Sequence, residues 1–460
     1  MIKDLATRIY RRLDDYGDRT YSKWKIITLL IPLLGERILI RLVGFADSIM
    51  VSVVSESAVS AMAMATQFLT IFSEFLNAVG VAACIIETQY VGKGDGASAV
   101  KTCKQSFLVG WMLAIPVGAV LILFGRPLLG LIYSGADEAT LELTFKALRV
   151  RALYLLAAPV SMSVTKLFVA QGNTKVTLVL NVVANILNCI GNYVFINFFG
   201  WGVEGAAFAT VLSTVFVAVS GTVLAASKRN PLRLTFKGGF KPEKKSFFGI
   251  IRLGLPTGLE QNLSNLAKIF VTSLATQCGS AALNANSVAH EITSMFVTFA
   301  CAVGSAMMIV VGHCKGAGRD DDVRHYTKWL TFTAGAFQLV SAVALFIFMD
   351  PLLAGYHLSA ETADLVRDLC APYLIAGIVF WTLSYTVPNA FRACGDVKFT
   401  MMISVLSLWV FRVGFAYLIF YLFSPTIYAL WIASYIDWGF RSLANVIRLR
   451  SGKWLKQKVI

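Results

Sequence analysis

Charge is what this 460-residue sequence has least of: Asp, Glu, Lys and Arg make up 15% of it, while 57% is hydrophobic. A soluble globular chain carries about 25% charged residues. Most of this surface is therefore expected to meet lipid rather than water. Ser-rich or Pro-rich linkers and low-complexity tracts are missing too, which leaves the basic stretch 227–247 as the candidate boundary between halves. Cysteine occurs eight times, but never as C-x-x-C and never with a His at ligand spacing, so neither a zinc site nor a disulfide framework is indicated. These thiols read as small buried hydrophobes. Segment 1–25 lacks the apolar region of a cleavable signal, and its Leu5, Ile9 and Leu13 recur at spacings of four. That spacing suits an amphipathic helix on the membrane surface. Gly-Lys-Gly-Asp-Gly at 92–96 does not satisfy the phosphate-loop pattern, and neither G-x-S-x-G nor H-E-x-x-H occurs. No cofactor, no metal site and no enzymatic activity are expected.

What the sequence does have is apolar runs long enough to cross a hydrocarbon core about 30 Å thick. Twelve spans are expected, at 26–54, 58–88, 106–124, 147–168, 177–198 and 206–226, then at 248–275, 281–311, 329–349, 370–391, 399–422 and 428–447. The fold class is an all-α polytopic membrane protein. An even number of spans puts both termini on one side of the membrane. The termini and the loops on their side hold 29 Lys and Arg, against three (Arg126, Lys146 and Arg367) in the opposite loops. That bias places both termini in the cytoplasm. The net charge of +15 is spread over every cytoplasmic loop rather than gathered into a patch, so no nucleic-acid partner is expected.

The chain also repeats itself. One constant shift along the sequence carries Pro32 onto Pro256, Glu36 onto Glu260, Ala78-Val79-Gly80 onto Ala302-Val303-Gly304, and Gly92 onto Gly316. A shift shorter by a single position carries Ala170, Gly172 and Lys175 onto Ala393, Gly395 and Lys398. The halves are thus 26–226 and 248–447, flanked by the segment 1–25, the basic linker 227–247 and the basic tail 448–460. With six spans each, the copies enter the membrane in the same direction and are related by an axis along its normal. Such parallel repeats are a transporter architecture that serves alternating access.

Several separated motifs carry a more specific resemblance. PLLGERILIRLVGFADSIMVS, VGKGDGASA, AQGNTKVTLVLNVVANILNCIGNYVFI, IIRLGLPTGLEQ, NAFRACGDVKFTMMISVLSLWVFRV and RLRSGKW follow one another in this order. Together they resemble the multidrug and toxic-compound extrusion family, bacterial type, over essentially the whole chain. The resemblance implies two six-helix lobes around a V-shaped cleft, and export of drugs and organic cations in exchange for protons or sodium ions. A monomer in the bacterial cytoplasmic membrane is expected, with small-molecule cargo and lipid as its partners.

Carboxyl groups inside the membrane are costly and default to function. Asp47, in Gly44-Phe-Ala-Asp47-Ser-Ile-Met, matches the position where the resembled family carries its amino-lobe acid. Glu36 lies eleven residues earlier, close to three turns and about 16 Å along the same face. The two can mark a cation path, with an ion pair from Glu36 to Arg37 or Arg41 as the alternative. Asn181, Asn185, Asn188 and Asn192 line one face of the fifth span at spacings of four, three and four. Asn188 and Asn192 are assigned to ion coupling, and Asn181 and Asn185 to substrate; plain interhelical hydrogen bonding is the alternative. Phe68, Phe72 and Phe75 share a face of the second span beside Met62 and Met64, a surface that can hold flat lipophilic cations or simply meet lipid.

In the second half, Glu260 is the repeat partner of Glu36 and joins the ion-coupling set. Glu291, beside His290, joins the substrate set. Asp437 and Arg441, spaced i, i+4, read as a mutually neutralising pair. The acids of the sodium-coupled relatives fall at Ser264 and Trp381, so hard oxygen ligands are missing and protons are expected over sodium. The shift that pairs the glutamates sends Asp47 to Val271, which points to the amino half as the driver. A flippase for a lipid-linked precursor and a membrane sensor or scaffold without transport remain the alternatives.

Overall fold

In lipid every backbone N–H and C=O must be satisfied within the protein, and the described residues do this with helix and no strand. The computed structural model describes residues 19–52, 56–133, 135, 137–235, 242–356 and 358–460, with the side chains of 41–52 and 56 outside that description. Leu5, Ile9, Leu13, Arg41 and the carboxyl of Asp47 therefore lie outside it.

The amino half consists of α1 (Lys23–Ser52), α2 (Glu56–Gly92), α3 (Gly96–Ile132), α4 (Glu138–Ala152 and Tyr154–Ala170), α5 (Thr174–Phe198) and α6 (Gly202–Ala226). The carboxyl half consists of α7 (Lys244–Gln277), α8 (Ser280–Gly316), α9 (Asp320–Gly355), α10 (Ala360–Ala393), α11 (Val397–Leu422) and α12 (Ile427–Ser451). Each of the twelve expected spans falls on one of these rods. The two pieces of α4 meet at 47°. The break is a tightened turn in which Leu153 N–H bonds Val150 O, and Trp111 Nε1 donates to the Leu156 carbonyl just beyond it, at 2.9 Å.

Several helices outrun the apolar windows, and α3 and α4 begin under polar caps. The Asp95 carboxylate accepts Ser98 N–H at 3.0 Å at the start of α3, and Asp137 accepts Thr140 N–H at 2.9 Å at the start of α4. By length and composition eight helices can cross a membrane, nine with α4 counted as one bent span. The remaining three, α1, α7 and α12, are the ones charges interrupt: Glu36, Arg37 and Asp47; Arg252, Glu260 and Lys268; Asp437 and Arg441.

Two compact units emerge, one of Ile31–Gly258 and one of Leu259–Val459 joined by the start of α1 through Leu30. Inside the amino unit, Phe68, Leu69 and Leu76 of α2 pack with Leu121 and Leu129 of α3 and Leu148 and Leu155 of α4. Glycines let α5 and α6 approach closely: a Cβ on Gly205 would lie 2.9–3.1 Å from the Phe195 Cβ and backbone. Inside the carboxyl unit, the start of α1 is held by Tyr21. Its N–H donates to the Tyr326 hydroxyl at 3.0 Å, its carbonyl accepts from that hydroxyl at 2.7 Å, and its own hydroxyl pairs with His313 Nδ1. Burial pushes the Tyr21 phenol pKa upward, with Cys314 and Tyr326 adding to the shift.

Candidate functional site

Polar side chains in an apolar helix are placed by what they can bond to, and the amino unit sorts its amides accordingly. Asn181 of α5 donates to Glu36 Oε1 of α1 at 2.9 Å, so one end of the asparagine face is joined to the first helix. Asn188 turns toward α6, donating to Thr210 Oγ1 at 3.4 Å, and Asn192 donates to Asn188 Oδ1 at 3.4 Å. Both are buried, and Asn185 is half-buried between the two groups. The stripe thus has two ends with different partners.

The three phenylalanines of α2 also part company. Phe68 is 7% exposed within the amino core, with Phe72 against it at 6.0 Å between ring centroids. Phe75 is half-buried and its ring lies over Gly258, leaving no room for a Cβ there.

The carboxyl unit holds the denser set of charges. Glu260 Oε1 pairs with Arg392 Nη2 at 2.7 Å, while its Oε2 is buried without a hydrogen-bond partner. The two repeat-related glutamates are therefore held differently, Glu36 by an amide and Glu260 by a guanidinium. Glu291 is exposed on α8. Its neighbour His290 stacks on Trp431 at 5.2 Å, and the Trp431 indole donates to Asn286 Oδ1 at 3.0 Å.

Asp437, 0% exposed, accepts from Arg441 Nε at 2.8 Å and from the Ser407 hydroxyl. The expected Asp437–Arg441 pair is thus present, but it is not alone. Arg412 Nη1 approaches Asp437 Oδ2 at 4.0 Å, and its Nε donates to Ser434 Oγ at 3.1 Å. Arg441 further donates to the Ser404 carbonyl at 3.1 Å and stands over the Tyr385 ring at 5.2 Å. Two guanidinium groups therefore share one buried carboxylate. Ser407 and Arg412 lie in a π-helical stretch of α11, Ser407–Gly414, and Tyr385 in one of α10, Gly377–Thr386. Such widened turns often mark functional positions. The i, i+4 spacing exposes Asp437–Arg441 in the sequence. Arg412 comes from another helix, and its only sequence signal is a lone cation inside an apolar span. No group of three or more metal-ligating side chains occurs among the described residues.

An all-helical membrane protein built from two parallel six-helix copies has the architecture of a transporter. The MatE family profile matches the chain twice, at 32–194 and at 256–418. The shift that carries Pro32 onto Pro256 also carries the first match onto the second, start to start and end to end. The chain belongs to the MatE family, whose members are transporters and not enzymes. It is 24% identical over 449 residues to the uncharacterized transporter YisQ of Bacillus subtilis, covering 96% of both chains. It is 25% identical to the probable multidrug resistance protein NorM of Thermotoga maritima, covering 95% of this chain and 94% of that one. Its fold matches a MOP superfamily transporter from Pyrococcus furiosus described as having a binding pocket of reverse polarity, with TM-score 0.84, 20% identity and coverage of 94% and 96%. It also matches an outward-facing multidrug resistance MATE family transporter, with TM-score 0.82, 21% identity and coverage of 93% and 94%.

Proposed function

We propose that this chain is a multidrug exporter of the bacterial cytoplasmic membrane, expelling lipophilic and cationic compounds in exchange for protons by alternating access. Relatives named as multidrug resistance proteins support the cargo class. The observation that carries the reading is the Asn181–Glu36 hydrogen bond, which ties the helix bearing Asp47 to the asparagine face of α5. Asp47 takes the proton, and Glu36, Asn188, Asn192 and Glu260 shape the ion path. Asn181, Asn185 and Glu291 with Phe68, Phe72 and Phe75 meet the cargo. Of the three rings, the half-buried Phe72 and Phe75 are the better placed for this role. Protonation of Asp47 and drug binding compete, so release of drug outside loads the proton that the return step carries in. The protein works as a monomer with both termini in the cytoplasm.

Dye efflux in a host stripped of its own exporters tests the cargo, comparing wild type with Asp47→Asn. Susceptibility in the mutant equal to that of the empty host is the expected result; undiminished resistance would remove Asp47 from the mechanism. A second reading, export of an anionic lipid-linked precursor, is favoured by the two arginines around Asp437. Stimulation by such a precursor, without competition from organic cations, would select it.

A further inference from the structure

The inner end of α2, from Ala82 through Tyr90, is buried at every position, and within it stands a carboxyl group with nothing to bond to. Glu87 is 0% exposed, and both its oxygens lack a hydrogen-bond partner. A buried polar side chain left this way demands an explanation. Packing alone does not supply one, because the shift that carries Glu36 onto Glu260 carries Glu87 onto Val311, also 0% exposed. The second copy fills the same place with an apolar side chain.

The surroundings are equally specific. Cys84 of α2 and Cys103 of α3 are both within electrostatic reach of Glu87, with Lys166 of α4 acting on the first thiol and Lys104 of α3 on the second. Cys103 reaches across to the Ser163 carbonyl of α4 at 3.8 Å, so α3 and α4 meet at this level. From α7, Gly249 closes over neighbouring Ile86. Glu243 and Asp95 stand within reach of Tyr90, one turn further on. Among these groups none forms an ion pair or hydrogen bond with the Glu87 carboxyl.

We propose that Glu87 is a second proton-binding site of the amino half, closed to water in this conformation and exchanging its proton when the inner end of α2 opens during transport. A neutral acid fits an enclosed, unpartnered site; a carboxylate needs water or a cation, which only a different conformation supplies. The inference rests on the proton-coupled reading above and extends it from Asp47 to a group at the opposite end of the neighbouring helix.

Infrared difference spectra of the full chain in liposomes, recorded between acidic and alkaline pH, read individual carboxyl C=O bands. A band from a weakly bonded acid that vanishes in Glu87→Gln and persists in Asp47→Asn is expected. Dye export by Glu87→Gln should lose the pH dependence of the wild type. Glu87→Val, which copies the second half, is the variant to use if the amide impairs folding. A Glu87→Gln spectrum identical to wild type, or an unchanged pH profile in both variants, would overturn the proposal. Undiminished transport by Asp47→Asn would count against Asp47 alone, because the Glu87 band is read independently of it.

Discussion

Asp437 shows how a single carboxylate can hold a lobe together. It is 0% exposed and balances Arg441, itself 4% exposed, with Arg412 nearby. Asp437→Ala leaves a buried guanidinium uncompensated and should destabilise the protein by about 3–5 kcal/mol, measured by unfolding in detergent. Replacing Asp437 and Arg441 together by leucine should be milder, because the fully buried guanidinium goes with its carboxylate and only the less buried Arg412 loses a partner. Part of this cluster was legible in the sequence, since partners four apart on one helix meet. Arg412 was not, because its meeting with Asp437 depends on how two helices pack. Asn181 could be placed on the polar face of α5 by spacing alone, yet its partner Glu36 is 145 residues away and no spacing rule connects them. Glu87 was hidden differently. A glutamate five residues before the helix end at Gly92 passes for an interfacial side chain until burial is known.

At the scale of single helices, hydropathy found the spans but not their ends. The windows register only the apolar portion, whereas helices such as α3 and α4 begin before it under the side-chain caps of Asp95 and Asp137. Hydrogen bonds from Ser98 hold the Asp95 carboxyl below its ordinary range, so the cap contributes stability that is present above that range and lost as pH falls through the lowered value. Asp95→Ala should cost about 1 kcal/mol, and the difference from wild type should shrink in acid. Close helix approach gives a second expectation. Gly205→Ala would drive a methyl against the Phe195 backbone at 3.0–3.1 Å, which a side-chain rotation cannot relieve. A loss of about 1–3 kcal/mol is expected in thermal unfolding of the detergent-solubilised protein. The π-helical stretches in α10 and α11 left no sequence signal, because an extra residue in a turn does not alter hydropathy.

For the whole molecule, duplication was the most readable feature, since a nearly constant offset between the copies survives wherever both keep the same packing. The proposed proton sites lie where the copies differ. In the sequence Asp47 has Val271 as its repeat counterpart and Glu87 has Val311, while Glu36 bonds an amide where Glu260 pairs with Arg392. Glu87 has no hydrogen-bond partner, and Glu36 has an amide where Glu260 has a guanidinium, which is the basis for proposing that proton coupling belongs to the amino half. Proteoliposomes carrying the purified chain test that assignment most directly, with export of a cationic dye and dissipation of an imposed pH gradient followed together. Wild type should show both and respond weakly to a sodium gradient, and Asp47→Asn should show neither. Full dye export and full dissipation by Asp47→Asn, or export driven by sodium alone, would contradict it.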